Sequence, residues 1–184
     1  MSGVKTAFLD RDGVINVDVA YLSRWKDFRF VPGTVDALRQ LQALGYQLVV
    51  VTNQSGIARG YYTEDDYQAL TCQMRQALAD EGVTLAGVYH CPHLPGAEVA
   101  RYAQDCDCRK PAPGMILRAA RELGADLPAS ILVGDKDSDI QAARAAGVGR
   151  AFLVRSGQDL TLLESARADA CFDDLADCVS ALAP

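Results

Sequence analysis

"FLDRDGVIN", residues 8–16, ends an apolar run on two aspartates, Asp10 and Asp12, one residue apart. Carboxylates in that position repel one another and resist burial, so a strand that ends on them needs a cation or a charged ligand between them. Further along the chain, two other apolar runs end in polar clusters: 47–52 leads into "TNQSG", and 130–134 leads into "GDKDSD". Short β-rich runs alternate with longer segments of helical period, which predicts an α/β fold built on a Rossmann-like, doubly wound parallel sheet. Ligands of such sheets bind beyond the carboxyl ends of the strands, where the winding reverses. Asp10, Asp12, Thr52, Asn53 and Asp135 are therefore expected along one edge.

The expected strands are 5–9, 47–52, 87–91, 130–134 and 150–154. The expected helices are 34–44, closed by Gly45; 63–81, opened by the capping box Thr63-Glu64-Asp65-Asp66; 113–123; 138–146, closed by Gly147; and 175–182. One of Asp137 and Asp139 is expected to cap the helix that starts near Ser138.

A chain of 184 residues fits one domain, 1–184, with the loop 91–108 inserted in it. Its net charge of −6, from 18 Lys+Arg and 24 Asp+Glu, comes with no basic run to follow a nucleic-acid backbone, so nucleic acid is not an expected partner. No apolar stretch approaches the roughly 20 residues of a membrane span, and "MSGVKTAFLD" has neither the apolar region nor the cleavage site of a signal peptide. The expectation is a cytoplasmic monomer with no membrane association. In that reducing compartment the six cysteines read as packing side chains or metal ligands.

An oxygen-rich acidic pocket suits magnesium better than zinc or copper. A bound cation reverses the local sign and can bridge a carboxylate to a phosphoryl oxygen. Phosphoryl transfer needs a nucleophile, a proton donor for the leaving oxygen and positive charge around the transferred group. Asp10 fits the first role, Asp12 the second, and Lys110 with the Thr52 hydroxyl the third. Taken alone, a D-x-D pair also serves turns and caps, Thr52 suits any strand, and a lone lysine is usually solvated. Asp135, nearest its strand end, is the better metal ligand of its cluster.

"CPHLPGAEVARYAQDCDC" supplies Cys91, His93, Cys106 and Cys108, a set suited to a closed tetrahedral zinc that shapes an otherwise weakly apolar loop. The alternative is four unrelated side chains in a reduced protein. Cys72, Cys171 and Cys178 read as packing residues. The loop leads into Arg109, Lys110, Pro111 and Pro113, so two cations would be held at the sheet edge, with Arg109 able to grip a second anionic group bidentately. A surface arginine balancing Asp105 and Asp107 is the plainer reading. His90 is read as a strand residue, and Trp25, Phe28 and Phe30 as loop packing.

Together, "FLDRDG", "VTNQSG", Lys110 and "VGDKDSD" resemble the motifs of the haloacid dehalogenase superfamily of phosphatases over almost the entire chain. "CPH" with "CDCRKP" is similar to the histidinol-phosphatase subgroup. The resemblance implies a capless fold with a zinc-bound loop, Asp10 as nucleophile forming an aspartyl-phosphate, and Asp12 as proton donor. It implies magnesium ligands from Asp10, the Asp12 backbone carbonyl and Asp135, with Thr52 and Lys110 stabilising the phosphoryl group. It further implies Cys91, His93, Cys106 and Cys108 as the zinc site, and substrate contacts from Asp18, Tyr21, Asn53, Gln54, Ser55, Arg109 and Lys136. Relatives often carry "DHGY" where this chain has "DVAY" at 18–21, a departure in the substrate loop. The implied activity is removal of phosphate from a small sugar bisphosphate. A histidinol-phosphate phosphatase is the nearest alternative and a non-catalytic sugar-phosphate-binding protein the one from another class; the Arg109-Lys110 pair and the intact Asp10 and Asp12 favour the first.

Overall fold

The computed structural model describes residues 3–182; the outermost residues of the expected 1–184 domain lie outside them. Six strands form one parallel sheet: β1 (Thr6–Leu9), β2 (Gln47–Asn53), β3 (Leu85–Cys91), β4 (Ile131–Gly134), β5 (Arg150–Val154) and β6 (Ala170–Phe172). Their order is β3-β2-β1-β4-β5-β6, so the chain winds outward from β1 in both directions. β1 is thus the switch point. Its pairing puts Leu9 between Val50 and Val133, and the Asp10 amide continues the ladder to the Val133 carbonyl at 3.0 Å.

The alternation of side chains along each strand sorts the interior into two layers. Ala7, Leu9, Leu48, Val50, Ile131 and Val133 face one core, shared with α1 (Thr34–Ala43), α2 (Glu64–Asp80) and α6 (Leu175–Ser180). Phe8, Val49, Val51, Leu132, Ala151 and Leu153 face the other, under α3 (Gly114–Leu123) and α4 (Asp137–Ala146). Covered on both faces, β1 is buried throughout, as its uninterrupted apolar run foretold.

The expected elements are present with ends moved by a residue or two. The α2 box forms as read: Thr63 Oγ1 accepts from the Asp66 amide at 3.1 Å, and Asp66 Oδ2 accepts from the Thr63 amide at 2.8 Å. Besides two single-turn 3-10 helices at Trp25–Asp27 and Ala100–Tyr102, one α-helix and one strand lie outside the expected set, α5 (Leu162–Arg167) and the three-residue edge strand β6. Both are too short to show a period, and β6 makes Cys171 a strand residue. Cys72, read as a packing residue, is exposed on α2, because its position falls on the solvent face of that helix. Trp25, Phe28 and Phe30 do pack the 18–31 segment, with ring centroids 4.7 and 5.0 Å apart in succession. No helix among the described residues is long and apolar enough to cross a membrane.

Candidate active site

Asp10 follows β1 directly, Asp135 follows β4, and Thr52 and Asn53 end β2. Since β1 lies between β2 and β4, these residues converge by register alone. Lys110 comes from the loop before α3. The residue is 4% exposed, and its ammonium stands 2.9 Å from Asp10 Oδ1 and 2.6 Å from Asp139 Oδ1 and donates to the Val51 carbonyl at 2.8 Å. Asn53 fixes that loop: its amide nitrogen donates to the Lys110 carbonyl and its oxygen accepts from the Lys110 amide, both at 3.0 Å. Burial opposes the Lys110 charge, but Asp10 and Asp139 outweigh it and raise its pKa.

Asp139 is the site residue that the sequence reading valued only as a cap. It does cap α4, accepting from the Asp135 and Lys136 amides at 3.2 and 3.0 Å, and its other oxygen meets Lys110. Nothing in its local sequence separates those roles.

Asp10, Asp135 and Asp139 bring carboxylate oxygens within 4.8 Å of one another. Asp135 is 1% exposed and neither of its oxygens makes a hydrogen bond, although the Lys136 ammonium lies 3.5 Å from Oδ2. Burial, then the nearby Asp10, pushes its pKa up to about 8. A buried carboxylate with both oxygens unsatisfied beside two more carboxylates is a donor set for a hard cation such as magnesium. Its floor is backbone: a Cβ built on Gly157 or Gly13 would come within 2.0 or 2.5 Å of Asp135 Oδ2. Gly157, beyond β5, also lay outside the sequence reading.

Asp12 lines the same cleft as Lys110. Burial works against its charge, but Arg11, Asn16 and Gln54 outweigh it and hold its carboxyl below the usual value. Gln54 was expected at the substrate, yet its polar atoms are taken within the protein. Its amide nitrogen donates to Thr52 Oγ1 at 2.8 Å and Asp12 Oδ2 at 3.0 Å, and its oxygen accepts from Tyr62 at 2.6 Å. Lys136 Nζ lies 3.5 Å from Asp135 and 3.9 Å from Asp18. Burial disfavours its charge, but Asp135, Asp10 and Asp18 prevail and raise its pKa.

Asp10, Asp12, Asn53, Lys110, Lys136, Ser138 and Asp139 line a cleft of about 50 Å³. A cavity of about 260 Å³ adjoins it, sharing Asp12, Asn53 and Lys136 and adding Asp18, Tyr21, Gln54 and Ser55. Larger concavities, one of about 670 Å³ beside β3 and one of about 900 Å³ along the 19–29 segment, hold none of the three clustered aspartates. Ala20 and Tyr21, in the departed "DVAY" stretch, both have φ of 52°, a left-handed conformation that glycine adopts more readily. Arg109 lines neither the cleft nor the adjoining cavity; it is half-buried and donates to the His93 carbonyl at 3.3 Å.

The cysteine loop closes as its spacing predicted. Cys91 Sγ is 3.0 Å from Cys108 Sγ and 3.5 Å from Cys106 Sγ, and His93 Nδ1 is 3.7 Å from Cys91 Sγ. Four soft and borderline donors within 4.8 Å of each other fit a tetrahedral zinc. The side-chain amide of Gln104 lies 2.8 Å from His93 Nε2, where an outer partner orients a ligating imidazole.

The chain is similar to known proteins over nearly its full length. A HAD-hydrolase-like family model matches residues 107–178. A D-glycero-β-D-manno-heptose-1,7-bisphosphate 7-phosphatase of Yersinia pestis is 49% identical over 97% of this chain and 95% of its own. The α-heptose counterpart in Photorhabdus laumondii is 49% identical over 84% of each chain. Among solved structures, D,D-heptose 1,7-bisphosphate phosphatase from B. bronchiseptica, complexed with magnesium and phosphate, superposes with a TM-score of 0.81 at 33% identity, covering 97% of both chains.

Proposed function

The chain belongs to the D-glycero-D-manno-heptose-1,7-bisphosphate 7-phosphatases of the haloacid-dehalogenase-like family, and we propose that Asp10 is its nucleophile and Asp12 its proton donor. It is a magnesium-dependent phosphatase that removes the 7-phosphate of heptose 1,7-bisphosphate on the way to the activated heptose of lipopolysaccharide. The observation that carries this reading is the convergence of Asp10, Asp12, Lys110 and Asp139 on one small cleft, with the buried Asp135 beside Asp10 and Asp139, in a chain about half identical to such enzymes.

An Asp10 oxygen attacks the phosphorus as the bond from phosphorus to the sugar oxygen breaks, and Asp12 gives that oxygen its proton. Water then attacks the phosphate carried by Asp10 and returns a proton to Asp12. Inorganic phosphate leaves and Asp10 is again a carboxylate. An entering phosphate adds negative charge beside Asp12, which favours the protonated form the first step needs. Lys110, held by Asn53, meets charge developing on the phosphoryl oxygens, and Thr52 supplies a hydroxyl at the end of β2.

Magnesium would be held by Asp10, Asp135 and the Asp12 backbone carbonyl, with Asp139 beside them; when bound it neutralises the carboxylates and polarises the phosphoryl group. Zinc would be held by Cys91, His93, Cys106 and Cys108 and serve structure alone. Asp18, Tyr21, Asn53, Gln54, Ser55 and Lys136 border the adjoining cavity, which is assigned to the sugar. The second phosphate is assigned to Arg109 because it follows the zinc loop next to Lys110; reaching that phosphate would mean releasing the His93 carbonyl. The free thiols suit a reducing compartment, which supports the cytoplasm.

Phosphate release from α- and β-heptose 1,7-bisphosphate and from histidinol phosphate, measured side by side with magnesium, tests the substrate. Preference for a bisphosphate, with loss of that preference in Arg109→Ala, is the expected result. Preference for histidinol phosphate would overturn it.

A further inference from the structure

Arg11 lies between the two aspartates of the opening motif and is completely buried. Arginine is almost never so buried unless it is paired, and its partner here is the adjacent Asp12. Nε donates to Asp12 Oδ1 at 3.2 Å, and Nη2 lies 3.0 Å from Oδ1 and 3.1 Å from Oδ2. Asn16 donates to Oδ1 and Gln54 to Oδ2, each at 3.0 Å. The guanidinium is itself held: Nη2 reaches the Leu22 carbonyl and Gln54 Oε1 at 3.5 Å, and the Tyr67 ring centroid lies 5.9 Å from its central carbon. Tyr62, packed against Gly56, donates to Gln54 Oε1 and so fixes which end of that amide faces Asp12.

A carboxylate bonded at both oxygens from three directions has little freedom to rotate. Fork-shaped pairing gives directional control that a lysine's single point of charge does not. Asp12 faces both the cleft and the adjoining cavity, so its direction decides whether its proton lies in line with the leaving oxygen. We propose that Arg11 is a positioning residue for the phosphatase reaction, aiming the Asp12 carboxyl at the leaving oxygen through a buried frame completed by Gln54 and Tyr62. This rests on the reading of Asp12 as proton donor.

The test is the dependence of kcat/KM on the leaving group. This ratio reports the steps up to phosphoryl transfer to Asp10, before water enters. An alkyl phosphate needs the proton, whereas p-nitrophenyl phosphate expels a stable anion without it. Arg11→Lys, which keeps the charge and loses the fork, is expected to lower kcat/KM for an alkyl phosphate by about thirtyfold and for p-nitrophenyl phosphate by less than about threefold. Tyr62→Phe, a milder change for use should Arg11→Lys not fold, is expected to show the same bias at about a third of that size. Equal losses on both substrates, or none, in the folded variants would overturn the proposal. Asp12→Asn run alongside separates the two claims: a leaving-group bias there with none in the Arg11 and Tyr62 variants removes Arg11 alone. No bias in Asp12→Asn removes the proton-donor reading and the proposal together.

Discussion

Asp135 packs so closely on the backbone of Gly157 that a methyl group there would fall 2.0 Å from its Oδ2. Asp135 follows β4 and Gly157 lies three residues beyond its neighbour β5, on one side of a carboxylate whose oxygens also neighbour those of Asp10 and Asp139. Gly157→Ala is therefore expected to displace Asp135, weaken magnesium binding at least tenfold and lower turnover in step, with the zinc loop unaffected. Calorimetric titration of magnesium checks it; wild-type affinity in the variant would contradict the contact's importance.

The raised Asp135 carboxyl sets a pH dependence in the metal-free protein. Its folded pKa of about 8 lies above the ordinary 3.8, so between those values the folded state holds a proton that the unfolded state has released. Stability from this group is complete at the acid end and is lost as pH rises toward 8. A divalent cation replaces that proton, so the rise in Tm caused by magnesium is expected to be larger at pH 8 than at pH 6. Thermal melts at both pH values, with and without magnesium, decide it. A shift of equal size at both would mean that no proton is displaced.

Cys106→Ala opens the set of four ligands in the loop that leads into Arg109 and the cleft residue Lys110. The expected result is loss of bound zinc by elemental analysis, a Tm lowered by several degrees, and a larger loss of turnover on the bisphosphate than on p-nitrophenyl phosphate. A variant that loses zinc but keeps Tm and substrate preference would show the loop to hold itself.

The parts of the site that lie at strand ends were legible in the sequence. Asp10, Thr52, Asn53 and Asp135 each follow an apolar run, and a doubly wound sheet brings such ends together whatever the loops do. The cysteine loop was legible because its ligands come in close pairs. What escaped depends on partners remote in sequence. Asp139 reads as a helix cap until Lys110 arrives from the loop before α3. Arg11 shows no signal of its own in the sequence, because its burial depends on Gln54 and Tyr67 beside it. Gln54 shares its motif with Asn53 and Ser55, yet Tyr62 and Thr52 turn it inward. Gly157 shows no pattern, because its role is to have no side chain where Asp135 passes. The same remoteness hid β6, which is three residues long and exists as a strand only by pairing with β5.

Covalent capture on Asp10 is the most direct test of the mechanism. Wild-type protein mixed with magnesium and 7-labelled heptose bisphosphate is quenched in acid within a turnover, digested and mapped by mass spectrometry. A hydroxylamine-sensitive phosphoryl group is expected on the peptide containing Asp10, with neither label nor phosphate release in Asp10→Asn. Label on another residue, or turnover by Asp10→Asn at the wild-type rate, would contradict it.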